Sequence, residues 1–320
     1  MIRSALVLAS FPLCAALAQE LPAVPRAVPP AVARAVPQEL LVPVAAAESL
    51  RVTVAGDGPT VVLLPGLFGS AFGYRHLLAL LPAAGYRAVV IEPLGIGGSP
   101  RPRGADYSLT AQAERIAAAL ARLDEGPAVV VGHSLGVSLA LRLAAHHPER
   151  VRAVVALDGG PAEAAATPGF RRAMRYAPWI KWLGGVKRIR PKMRKDLIAA
   201  SGDSAWVTDE VMDGYTAGAA ADIDGTLLAF LATAESRERD RLVPRLADIR
   251  CPVRLVLGTA PHEGGVEDAQ VRLMRERLPD FAVDSIPGAG QYLFEEQPEA
   301  VTAMIAGVME ARATALGISR

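Results

Sequence analysis

The run Gly132-His133-Ser134-Leu135-Gly136 follows the apolar stretch Ala128 to Val131 and opens a stretch of helical period from Leu135 to His146. A serine at such a strand-to-helix turn, with glycines two positions either side, can stand exposed because the glycines let the backbone pass close to its neighbours. Its Oγ can then attack an electrophilic carbon. The N–H of Leu135, at the start of the helix, would face the negative charge that develops. Gly-x-Ser-x-Gly alone is a weak pattern, and it is the strand, turn and helix around it that read as a nucleophile elbow.

A serine hydroxyl attacks well only when a base takes its proton. Of the five histidines, His76 falls in an expected helix, His133 lies inside the elbow with its side chain expected to turn away, and His146 and His147 close a helix before Pro148. None of these sits at the C-terminal end of a strand, where a parallel sheet gathers its reactive groups, so each reads as a packing or surface residue. His262 is different, because it follows the strand Val253 to Leu257 in a loop beside Glu263, and Asp158 ends the strand Val151 to Leu157. Ser134, His262 and Asp158 or Glu263 therefore form one candidate set. Against it stand a surface pair of His262 with Glu263, and for Asp158 a role as cap of the following turn.

The elements that must position these residues are short β-branched runs alternating with longer amphipathic ones. Strands are expected at 51–55, 60–64, 87–91, 128–131, 151–157, 253–257 and 281–286, and helices at 71–81, 110–123, 135–146, 269–278 and 299–311. Such alternation implies right-handed crossovers and an α/β fold, a mostly parallel sheet with helices on both faces. Between Asp158 and Arg250 the rhythm breaks into helical stretches with Trp179, Trp182 and Trp206. An interval of about ninety residues is too long for a plain loop and reads as a helical cap insertion, 159–250, between core segments 50–158 and 251–315.

With these motifs in place, the chain from roughly residue 50 to 315 resembles the α/β-hydrolase family. Leu63-Leu64-Pro65-Gly66-Leu67-Phe68-Gly69-Ser70 is similar to that family's first oxyanion loop, which implies that Leu67 supplies a second oxyanion N–H beside that of Leu135. Glu92-Pro93-Leu94-Gly95-Ile96-Gly97-Gly98-Ser99 is similar to its Asp-x-x-Gly-x-Gly-x-Ser turn, with Glu92 in place of the aspartate. These glycines lack the strand, helix and acid spacing of a dinucleotide site, so they read as a structural turn. The resemblance also puts the family's acid at Pro261 and its histidine at Gln291. A glutamine amide cannot accept and return a proton near neutral pH, so the usual base is missing. Some members, haloalkane dehalogenases among them, carry their acid where Asp158 stands.

Composition narrows the function classes. The chain of 320 residues is 51% hydrophobic and 21% charged, with a mean hydropathy of +0.27 and a net charge of +1. It is too apolar for disorder and too evenly charged for a polytopic membrane protein. A phosphate-dominated nucleic-acid binder would need a basic excess, which speaks against that partner. From Arg171 to Lys195 there are ten Lys or Arg and no acid, interleaved with Met174, Tyr176, Trp179 and Trp182. This stretch reads either as weak contact with an anionic membrane surface or, the reading preferred here, as a cap whose apolar side lines a pocket while its cations stay in water. The expected partner is a small acyl compound, and no cofactor or metal is implied.

The N-terminus has the three parts of a secretory signal peptide: Arg3, the apolar run Ser4 to Ala15, and small residues at Ala16 and Ala18. The run is shorter than the roughly 20 residues of a membrane-spanning helix, and the large Leu13 before Cys14 argues against lipoprotein processing. Residues 19–49 follow as a leader rich in proline and alanine, expected to be extended and unpacked. Removal of the signal would leave Cys251 as the single cysteine, which excludes an intramolecular disulfide or a cysteine zinc cluster. The expected location is the periplasm or the exterior. Intact-mass measurement of the exported protein should give Gln19 as the first residue, and a mass retaining residues 1–18 would exclude this processing.

Overall fold

The computed structural model describes residues 36–166, 169, 171, 172 and 186–315. The expected signal peptide, the leader up to residue 35, and Trp179 and Trp182 lie outside the described residues, as does most of the basic stretch before residue 186.

Eight strands form one sheet: β1 (Gln38–Ala45), β2 (Glu48–Ala55), β3 (Thr60–Leu64), β4 (Arg87–Glu92), β5 (Ala128–His133), β6 (Val151–Leu157), β7 (Val253–Gly258) and β8 (Phe281–Ile286). Their order across the sheet is β1-β2-β4-β3-β5-β6-β7-β8. The β1–β2 and β2–β4 pairs are antiparallel and the others parallel. Successive side chains of a strand point to opposite faces, and in the parallel part both faces are covered, so these strands are apolar throughout. Val62, Leu64 and Val130 join one core cluster while Val61, Leu63 and Val129 join the other. The helices α1 (Leu77–Ala83), α2 (Leu109–Arg122), α3 (Leu135–His146), α4 (Val186–Ala199), α5 (Asp209–Ala221), α6 (Ile223–Glu235), α7 (Asp268–Arg277) and α8 (Pro298–Ala315) complete the fold.

Two sequence expectations are corrected. The leader does not stay unpacked to residue 49: Gln38–Ala45 pairs with β2 from Gln38↔Val54 to Ala45↔Glu48, the register slipping after Pro43. Proline is tolerated here because β1 is an edge strand. The single helix expected over 71–81 is a 3-10 turn at Ala71–Tyr74 followed by α1.

Among the described residues the interval between β6 and β7 holds helices and no strand. Arg142 of α3 ties both ends of this insertion to the core. Its side chain is fully buried, donating to Ala162 O (2.9 Å) at one end and Asp240 O (3.0 Å) at the other, and to Thr110 Oγ1 (3.1 Å). Glu163 and Glu238 lie 3.5 and 3.9 Å from the guanidinium. Glu238 also accepts the N–H groups of Leu109 and Thr110 at the start of α2, where a helix has unsatisfied donors and favours negative charge.

A third tie runs from the end of α4 to two loops of the core. Ala199 O accepts the N–H of Glu263, and Ala200 O that of Gln291, both at 2.8 Å. Glu296 accepts the N–H groups of Gly202, Asp203 and Gly290.

Removing one partner from a buried ionic cluster strands the others. Arg142→Ala should therefore lower unfolding stability by about 3–5 kcal/mol in urea titration, and a loss below 1 kcal/mol would show that the cluster is not what anchors the insertion.

Candidate active site

The elbow at Ser134 follows from close backbone packing. A Cβ on Gly132 would lie 2.4 Å from Gly136 O, and one on Gly136 would lie 2.2 Å from Leu64 O. Only hydrogen fits at either position, so β5 can turn straight into α3 against the end of β3. The turn places Ser134 at φ 52°, ψ −116°, a left-handed conformation that costs a non-glycine residue on the order of 1–3 kcal/mol and is stored at functional sites. Leu135 is the first residue of α3, so its N–H has no acceptor one turn back. Leu67 lies inside the turn that Gly69 N closes on Gly66 O (3.0 Å), and both leucines line a pocket of about 360 Å³ together with Ser134, Asp158, Tyr215 and Gln291.

Glu92 fixes the loop that carries Leu67. It is buried, accepting from Ala71 N (2.7 Å) and Gly98 N (2.6 Å). Burial pushes its carboxyl up, while these two donors pull it down. The glutamate thus clamps the loop that carries Leu67 to the 93–99 turn, a role for which its sequence position offered only the resemblance.

Gln291 faces the pocket where the family's histidine is expected. Its N–H donates to Ala200 O, its carbonyl accepts from His133 Nε2 (3.2 Å), and its amide lies beside Gly264. No proton acceptor of useful strength is presented from this position.

His133 does not turn away from the site as expected. It lines the pocket and is packed by Tyr292 and Phe294, with ring centroids 5.1 and 4.8 Å away. It lies on the sheet face of Val129 and Val131, against which Phe294 and Tyr292 also pack, as alternation along β5 dictates. Burial lowers the imidazole pKa to about 4, so the ring is neutral with its proton on Nε2, toward Gln291 O.

His262 meets Asp158 but not the serine. Nδ1 faces Ala260 O at 2.8 Å and Nε2 faces Asp158 Oδ2 at 3.0 Å. Both ring nitrogens are engaged, and His262 is not among the residues lining the pocket, so the expected direct pairing of His262 with Ser134 is not formed. Glu263 is exposed, and the acid that meets the imidazole is Asp158. Asp158 is not a cap of its following turn either, since its other oxygen accepts from Val266 N (2.9 Å) across the chain. It is buried and at φ 41°. Burial pushes its carboxyl up, opposed by the Val266 N–H and His262. Gly265, at φ 86°, makes room for it: a Cβ there would stand 2.7 Å from Asp158 Oδ2.

The other histidines serve elsewhere. His76 approaches buried Glu295 at 3.7 Å, and His146 and His147 share Glu114. Tyr215 of α5, which sequence reasoning did not single out, reaches the pocket with its hydroxyl donating to Glu295 Oε1 at 2.8 Å.

The neutral state of His133 carries a sign. Its folded pKa of about 4 lies below the ordinary 6.5, so the unfolded chain binds a proton that the folded chain refuses. Stability from this group is full above pH 6.5 and is lost as pH falls towards 4, by about 3 kcal/mol. Nitrogen-15 NMR should find the His133 ring neutral down to about pH 4; a ring already charged at pH 6 would contradict this burial.

Comparison with known proteins bears on the fold and the family. The alpha/beta hydrolase fold family matches residues 59–247, more than half of the chain. A 2-(acetamidomethylene)succinate hydrolase of Mesorhizobium japonicum is 26% identical over 269 residues, covering 82% of this chain and 92% of that protein. Among solved structures, the epoxide hydrolase CorEH superposes with a TM-score of 0.71 at 17% identity, covering 86% of this chain and 99% of that one. Cfl2 of Burkholderia cenocepacia does so with a TM-score of 0.69 at 22% identity, covering 85% and 94%. At these identities the two structural likenesses carry the fold alone. With a family model matched over more than half of its length, the chain belongs to the alpha/beta hydrolase fold family.

Proposed function

We propose that this chain is a serine hydrolase of small acyl compounds, esters foremost, with turnover limited by the absence of an imidazole at position 291. The observation that carries the reading is Ser134, held at φ 52° between strand and helix, on the same pocket as Leu67 and Leu135. In this reading the substrate carbonyl sits over Ser134 with its oxygen toward the two N–H groups. Attack by Oγ moves the carbonyl electrons onto that oxygen, and the fixed dipoles stabilise the charge without reorganising. Collapse of the adduct breaks the bond to the leaving alcohol, which departs with a proton, and water then releases the acyl group from Ser134. The insertion, through Tyr215 and the alanines at 162 and 164–166, serves as the cap that closes the pocket. Export to the periplasm or beyond belongs to the same proposal and rests on the N-terminal pattern.

A second reading, a hydrolase-like binding or scaffold protein without turnover, is favoured by the amide of Gln291 where a base is expected. Removing the base of a serine triad leaves only about a thousandfold to ten-thousandfold acceleration over water, which is compatible with either a slow enzyme or a retired one. A fluorophosphonate probe separates them by whether Ser134 is labelled.

General-base catalysis contributes about a hundredfold to ten-thousandfold. Gln291→His should raise hydrolysis of a small activated ester at least tenfold, and the gain should vanish in a Ser134→Ala background. If wild type and Gln291→His are both inert towards a broad ester panel and neither is labelled, the binding-protein reading stands instead.

A further inference from the structure

We propose that Asp158 and His262 together take up the proton that Ser134 loses, in reversed order, with the carboxyl between the hydroxyl and the imidazole. The proposal rests on the serine-hydrolase reading and supplies the proton acceptor that it lacks.

The first support is placement. The last paired residues of β5 and β6 are His133 and Leu157, and Ser134 N donates to Leu157 O at 3.1 Å. Ser134 and Asp158 are therefore neighbours on adjoining strand ends, and both line the pocket. Among the described residues only Asp124, Ser134 and Asp158 are non-glycine residues with positive φ. Asp124 lies just past the end of α2, and the other two stand side by side over the pocket.

The second support is hydrogen-bond inventory. A carbonyl oxygen only accepts, so Nδ1 of His262 carries the hydrogen that faces Ala260 O. Nε2 then meets Asp158 Oδ2 at 3.0 Å, a contact that requires one proton between the two atoms. Whether it is drawn on nitrogen or oxygen, the pair holds one shared proton and has room for one more. Oδ1 accepts from Val266 N and keeps a further lone pair.

The step balances. As Ser134 Oγ bonds to the acyl carbon, its proton passes through one bridging water to Oδ1 of Asp158 and the shared proton settles on His262 Nε2. The carbonyl pair moves onto the oxygen that faces the Leu67 and Leu135 N–H groups. The unit is then a carboxylic acid beside an imidazolium. On collapse the bond to the leaving group breaks, the leaving group takes the proton back from Asp158, and the shared proton returns to its place between Oδ2 and Nε2. Water repeats the sequence on the acyl-serine. Asp158 is thus a catalytic residue, and His262, which acts through it, is a positioning residue and proton reservoir. Glu263, the adjacent ionisable residue of the loop, is exposed.

The test is the rate of Ser134 labelling by a fluorophosphonate, in which fluoride is expelled, for a double-mutant cycle on the full chain. Asp158→Asn should slow labelling about a hundredfold or more, and His262→Gln about tenfold, less than the loss of the direct proton acceptor. His262→Gln should add nothing in the Asp158→Asn background, because the imidazole acts only through the carboxyl. Labelling at the wild-type rate in Asp158→Asn, or a further loss of several-fold on adding His262→Gln, overturns the relay while leaving Ser134 as nucleophile. A Ser134→Ala protein labelled as fast as wild type, or a wild type that is not labelled at all, overturns the hydrolase reading and the relay together. Nitrogen-15 NMR of the unmodified protein tests the proton inventory without any variant. Nδ1 of His262 should be protonated throughout the folded range, and a bare Nδ1 overturns the relay.

Discussion

Backbone passing against backbone at the ends of β3, β5 and β6 is the constraint from which the site follows. Leu64 O, Gly136 and Gly132 approach so closely that any side chain at those glycines would collide with the main chain. The same crowding recurs at Gly159, where a Cβ would stand 2.4 Å from Ser134 O. Close packing of this kind resists small adjustments. It keeps the serine in a conformation that an isolated peptide would leave, and it holds the first N–H of α3 bare for a ligand. The loop that carries Leu67 is the complementary half, held by the buried side chain of Glu92.

The pocket's electrostatics turn on where its ionisable groups are spent. His133 is neutral and committed to a carbonyl, Gln291 offers an amide, and the carboxyl of Asp158 is drawn towards His262 and Val266. In a commonplace serine hydrolase an imidazole would separate hydroxyl and acid. Here the acid borders the pocket and the imidazole stands beyond it, engaged at both nitrogens.

Much of this was legible in the sequence, and the rest was not for definable reasons. The inner strands were readable because both faces are buried and the apolar runs are unbroken, and the elbow because glycine spacing and a strand-to-helix change coincide at Ser134. Strand β1 was hidden by Pro43, by the proline-rich leader before it and by an edge position that buries little: of Gln38–Ala45 only Val42 is buried. That His262 meets Asp158 rather than Ser134 is a matter of which atoms a loop brings within 3 Å, and no local pattern encodes that. Tyr215 lies far along the chain in an insertion whose residues follow no shared spacing with the core.

The hydrogen bonds from the end of α4 bear on how such a protein could diversify. Because Ala199 and Ala200 hold the backbones of Glu263 and Gln291, and Glu296 grips Gly202 and Asp203, residues 199–203 belong mechanically to the core although they lie within the insertion. A transplanted insertion that lacked this segment would leave the two loops around the pocket without their braces. The exchangeable unit is therefore shorter than the interval between β6 and β7, and recombination at the strand ends alone would disturb the loops around the pocket along with the insertion.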